Sequence, residues 1–181
     1  MGNHATRHMM RRRNSGPFVA QRDGTYVMKL SPDVQALLVH MFGELRDVLT
    51  TGNSNEPTLQ RLFPVAYHQD PESNEEYQRL MRSELVASRL AAISRAVEVI
   101  DTAENQSPIL TSGDMSQFMQ SLNAIRLLLG TMLDVSEDDE LNGQNDLEDD
   151  DPRLAQHHLY AYLGWLLEAS ISAQMNRGEI R

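Results

Sequence analysis

The sequence predicts a mainly α domain: an N-terminal β-hairpin followed by a bundle of about four helices, with an acidic flexible loop before the last helix. Three observations carry that reading. Apolar residues recur at helical spacing in four long stretches, each opening on a capping residue or a proline. Asp23-Gly24 divides two short apolar arms near the start, as a tight hairpin turn requires. Finally, 181 residues suffice for one domain with a proper core and are too few for two ordinary ones.

Residues 1–16 are basic and poor in apolar side chains, with Arg7, Arg11, Arg12 and Arg13, and they read as a disordered arm. A single mainly helical domain is expected over 17–177. Phe18 to Arg22 and Thr25 to Leu30 form the hairpin arms, and Tyr26, Met28 and Leu30 alternate in the second. Ser31-Pro32 supplies an N-cap and a first-turn proline. Val34, Leu37, Leu38, Met41, Phe42, Leu45 and Leu49 follow at helical spacing, and the helix should stop near Thr51-Gly52.

A short turn around Thr58 to Leu62 precedes Asp70-Pro71, which opens the longest helix with Glu72, Glu75 and Glu76 near its positive end. Along it Val86, Leu90, Ile93, Val97 and Ile100 repeat in steps of four and three, the spacing of a helix packed against helices. A third helix starts at Ser112, where Asp114 sits early and Met115, Phe118, Met119, Leu122, Ile125, Leu129 and Leu133 mark the buried face. The fourth runs from Asp151-Pro152 to about Asn176, with Leu154, His158, Ala161, Trp165 and Ala169 on one side. Short connections favour antiparallel neighbours. Residues 136–151, SEDDELNGQNDLEDDD, carry nine carboxylates and no basic residue, so self-repulsion should keep them extended.

Composition narrows the function classes. The formal charge is −10, with 26 acidic and 16 basic residues, and an acidic surface outside the arm repels phosphate backbones, which makes direct DNA reading doubtful. No cysteine occurs, which excludes disulfides, thiol catalysis, thiolate metal sites and thiol redox sensing. No apolar signal core and no stretch near the roughly 18 residues of a membrane span is present. A cytoplasmic protein with no membrane association is expected.

Chemistry-bearing motifs are sparse. The acidic run lacks the alternating ligands, central glycine and terminal glutamate of an EF-hand loop, and His157 and His158 diverge around their helix, so no metal is expected. No nucleophile elbow, phosphate-cradling glycine loop, HExxH or paired-carboxylate signature appears, so neither enzymatic activity nor a cofactor is expected. Arg126 stands in step with Leu122, Leu129 and Leu133, placing a permanent cation beside a buried stripe. Such a charge needs a partner, for which Asp70, Glu72, Glu76 and Glu84 are candidates. The residues leave two readings: an ion pair or carbonyl clamp that fixes helix register, or a small-anion site. Asn123, in mostly apolar company, and Tyr67, after Phe63-Pro64, complete a polar set that is either structural or at an interface.

Two segments, Leu62 to Leu85 (LFPVAYHQDPESNEEYQRLMRSEL) and Leu122 to Leu133 (LNAIRLLLGTML), hold polar residues that helical periodicity leaves unexplained. Their specific positions are Leu62, Pro64, Ala66, Tyr67, Asp70, Glu76, Tyr77, Arg79, Leu80 and Arg89, then Leu122, Asn123, Arg126, Leu127, Gly130, Thr131 and Leu133. A weaker block is Tyr162, Leu163, Gly164, Trp165 and Glu168. Through them the chain, over about residues 17–177, resembles a family of small actinobacterial proteins filed as domain of unknown function 2017. Some members are named oxidative stress transcriptional regulators.

The resemblance implies a cytoplasmic regulator that acts on transcription through protein contacts, with RNA polymerase or a sigma factor as partner. Members are typically encoded beside the ClpS-type adaptor, which gives a second reading as an accessory to Clp proteolysis. A third is a small-ligand domain with its pocket around Arg126 and Trp165. The cysteine-based sensing described for the named regulators does not carry over to a chain without cysteine. The polar set placed at, or in support of, the contact surface is Tyr67, Asp70, Glu76, Arg79, Asn123 and Arg126.

Overall fold

The computed structural model describes residues 16–52, 59, 61–63, 70–103, 106–135, 151 and 153–176. The arm over 1–15, the acidic run over 136–150, and Pro64, Ala66 and Tyr67 lie outside the described residues. β1 (Phe18–Ala20) and β2 (Tyr26–Met28) pair antiparallel with Phe18 opposite Met28 and Ala20 opposite Tyr26. Gly24 takes φ 89°, which a side chain resists. Asp23 braces the turn by accepting from the Thr25 amide at 3.0 Å and its hydroxyl at 2.7 Å.

The hairpin is not the whole sheet. Ile109–Leu110 forms β3, antiparallel to β2 with Tyr26 opposite Leu110, giving the order β1-β2-β3. Two residues carry no readable alternation, so this strand had no signal in the sequence.

α1 (Pro32–Thr51) opens as its Ser-Pro signal implies, the Ser31 hydroxyl accepting from the Val34 amide. It buries Leu38, Phe42, Leu45 and Leu49, whereas Leu37 faces solvent, because seven apolar positions span a wider arc than the core covers. α2 (Pro71–Asp101) has 31 residues, roughly 46 Å of helix. Its N-terminal half is largely exposed, and burial concentrates at Ala92, Ile93, Ala96, Val99 and Ile100, while Val86, Leu90 and Val97 are half-buried.

α3 (Ser112–Met132) is capped by Thr111 in a reciprocal box with Asp114. It ends in a Schellman turn: the Val135 amide reaches the Gly130 carbonyl at 2.9 Å, the Asp134 amide reaches Thr131 at 3.2 Å, and Asp134 takes the left-handed conformation usually given to glycine. α4 (Leu154–Asn176) turns inward the stripe Leu163, Leu166, Ser170 and Ala173. The side predicted from Leu154, His158, Ala161, Trp165 and Ala169 is mainly the outer one, with His158, Ala161 and Trp165 exposed.

α3 is central, packing on α1, α2 and α4, while β1 lies on α4. Phe118 stands edge-on to Phe18 and to Phe42, with ring centroids 5.6 and 6.0 Å away.

Candidate functional site

Arg126 emerges from α3 one turn before Gly130 and meets α4 at Tyr160 and Gly164. Its guanidinium carbon lies 4.5 Å from the Tyr160 ring centroid, a cation–π distance. Two glycines make the approach possible. A Cβ on Gly130 would stand 3.0 Å from Tyr160 Cε2, and one on Gly164 would stand 3.4 Å from Arg126 Nε. Tyr160 thus packs over the bare backbone of α3 while Arg126 packs over that of α4.

Beside this clasp an open groove of about 430 Å³ is lined by Arg126, Ala161, Gly164, Trp165, Leu167, Glu168 and Ile171. Trp165 is 49% exposed there, and Tyr162 stacks obliquely on it with centroids 5.5 Å apart and planes at 30°. Partial burial pushes the Tyr162 hydroxyl pKa up.

The predicted polar set does not form one described cluster. Asp70 is the cap of α2, accepting from the Ser73 hydroxyl at 2.6 Å and its amide at 3.1 Å; those two bonds, hydroxyl first, hold its carboxyl below the usual range. Glu76 and Arg79 face each other at 3.7 Å on exposed positions. Asn123 is exposed rather than in apolar company, because one residue beyond buried Leu122 is a 100° turn away from the core. Arg126 engages the Tyr160 ring, and its four candidate carboxylates occupy exposed positions. Tyr67 lies outside the described residues.

Sequence reasoning missed two further constellations. Asp114, 7% exposed, accepts from Arg95 Nε at 2.6 Å and from the Thr111 hydroxyl and amide at 2.7 and 2.9 Å. Burial would raise its carboxyl, but the Arg95 and Thr111 bonds together outweigh burial and hold it below 3.8, while Arg95 is pushed up, first by its bond to Asp114. The other surrounds the Arg61–Phe63 turn. Arg61 forks onto the Val135 carbonyl with both Nη atoms at 3.3 Å, and Arg89 Nη2 donates to the Leu62 carbonyl at 2.6 Å. Arg82 lies over the Phe63 ring at 4.2 Å, and Arg89 lies 5.9 Å from the same centroid. The available signal was weak: arginines seven apart on one helix share a face.

The same Gly130, Arg126, Gly164 and Trp165 that build the clasp are positions through which the chain resembles a known family. The family model described as Domain of unknown function (DUF2017) matches residues 10–174. The chain belongs to that family. No curated protein and no solved structure matches it. In this DUF2017 chain, the α3–α4 clasp and groove form a candidate site among the described residues. Among the described residues no group of three or more His, Asp or Glu could hold a metal ion, and no helix is long and apolar enough to cross a membrane.

Proposed function

We propose that this DUF2017 protein is a non-enzymatic cytoplasmic regulator that acts through protein–protein contacts at the α3–α4 groove, with RNA polymerase or a sigma factor as the partner class. The observation that carries the contact surface is the half-exposed Trp165 beside the Arg126–Tyr160 clasp. Tryptophan, tyrosine and arginine dominate binding hot spots, because each buries a large, stiff surface and still offers a polar handle. Clasping Arg126 against Tyr160 orders its side chain before a partner arrives, which lowers the entropy lost on binding. The transcriptional partner class rests on family resemblance alone. Without cysteine, regulation by thiol oxidation is not part of the reading.

The test is a crosslinked pull-down from the native cells with the intact protein, Trp165→Ala and Arg126→Ala. Enrichment of polymerase or a sigma factor, lost in Trp165→Ala while its thermal unfolding stays close to that of the parent, is expected. Undiminished capture by both folded variants defeats the assignment of the surface, and recovery of Clp components instead favours the proteolytic reading. The groove's volume also lies within the usual range of small-molecule sites. A thermal-shift screen addresses that second reading, since a ligand at about 100 times its Kd adds roughly 2.7 kcal/mol.

A further inference from the structure

The described ion pairs of this acidic chain occupy Arg46, Arg79, Arg95 and Arg153. Arg61, Arg82 and Arg89 have no carboxylate partner among the described residues; the side chains of Arg82 and Arg89 meet at one three-residue turn, to which Arg61 belongs by its backbone while its guanidinium reaches the Val135 carbonyl. Arg61 belongs to the turn, Arg89 is bonded to the Leu62 carbonyl, and Arg82 covers Phe63. Phe63 is buried, so its ring is a floor for the guanidiniums rather than a stacking surface for a ligand.

The donor count sharpens the point. Arg89 Nε is buried with no hydrogen-bond partner among the described residues, and its lone described bond is to a neutral carbonyl, so no described carboxylate offsets its charge. The guanidinium carbon of Arg82 lies 4.2 Å over the ring centroid, and Arg82 makes no described hydrogen bond. Its N–H groups are committed to no described acceptor, and a guanidinium matches two oxygens of an oxyanion.

We propose that Arg82 and Arg89, with Arg61 adding to the field, form a binding site for a multiply charged phosphate group. A compact group with more than one negative charge meets the N–H donors of Arg82 and offsets the charge of half-buried Arg89 together. A single carboxylate of an acidic peptide meets only one of these needs. The site lies on the turn after α1 and the middle of α2 and is built independently of the α3–α4 groove.

Calorimetric titration of the full chain with sodium pyrophosphate at low ionic strength tests this. Arg82→Gln removes the guanidinium, and Arg153→Gln removes an equal charge from a paired arginine elsewhere. Saturable binding is expected, with Kd raised at least about tenfold by Arg82→Gln, the range for losing a charged hydrogen bond, and less than about twofold by Arg153→Gln. Circular dichroism and melting confirm that both variants are folded. A parallel titration with adenosine diphosphate separates the sources: tighter binding than pyrophosphate assigns the group to a nucleotide, and equal or weaker binding assigns it to free polyphosphate. Absence of saturable pyrophosphate binding, equal loss in the two variants, or binding of a polyglutamate peptide in its place overturns the proposal.

Discussion

Replacing Asp114 by Asn removes one charge and leaves the volume nearly unchanged, so its effect isolates the electrostatics of the corner where β3, α2 and α3 meet. The carboxylate accepts three side-chain or backbone bonds, from Arg95, the Thr111 hydroxyl and the Thr111 amide. An amide presents one accepting atom instead of two, so at least one charge-assisted bond is lost, and with it the favourable charge at the N-terminus of α3. Arg95 retains 42% side-chain exposure, so water screens part of the ion pair and the full cost of breaking a buried pair does not apply.

Together these losses come to about 2 kcal/mol, or roughly 4–8 °C in Tm for a chain of this size. The pH dependence supplies a second readout. The folded carboxyl titrates below its ordinary 3.8, so its contribution is complete above the unfolded value and is lost as pH falls through the folded one. The Tm gap between parent and Asp114→Asn should therefore be constant near neutral pH and shrink as pH is lowered below about 4. Calorimetric melting at several pH values measures both. A variant that melts within about 1 °C of the parent, or a gap that is unchanged at acid pH, refutes the account.

The remaining predictions concern packing. Gly130→Ala brings a methyl group to 3.0 Å from Tyr160 Cε2, so displacing the ring costs about 1–3 kcal/mol against the roughly 1 kcal/mol that alanine gains over glycine inside a helix; a Tm raised by that full gain contradicts the clasp. Phe42→Ala empties a fully buried site against Phe118 and should lower stability by about 3–5 kcal/mol in urea unfolding. Trp165→Ala, at a half-exposed position, should by contrast change stability by less than about 1 kcal/mol, with its consequence confined to partner capture.

Much of the fold was legible because its boundaries are local chemistry. Asp23-Gly24, Ser31-Pro32 and Asp70-Pro71 each open or turn an element through side-chain and backbone geometry contained within a few residues. The inner face of α4 was not legible, because its stripe includes Ser170 and Ala173 while the outer side carries Trp165. Only the packing of a neighbouring helix decides between two such faces. Arg126 was recognisable as a cation beside the core, but the aromatic face it meets, brought close by two glycines on different helices, was not legible from spacing along one helix. Arg82 and Arg89 gave almost no signal, since their meeting point is a ring about 20 residues away along the chain.

β1 rests on α4, and β2 pairs with a strand that lies between α2 and α3. During synthesis, then, β1 and β2 emerge long before the surfaces that cover them. Phe18 to Met28 must wait for Leu110 to complete the sheet and for the last helix to close over β1, so the hairpin cannot mature as the ribosome releases it. A nascent chain stalled before α4 can seat Phe18 on Phe118 of α3 yet leaves the part of β1 that α4 covers exposed, so full resistance of this segment to protease should appear only when the final helix has left the exit tunnel.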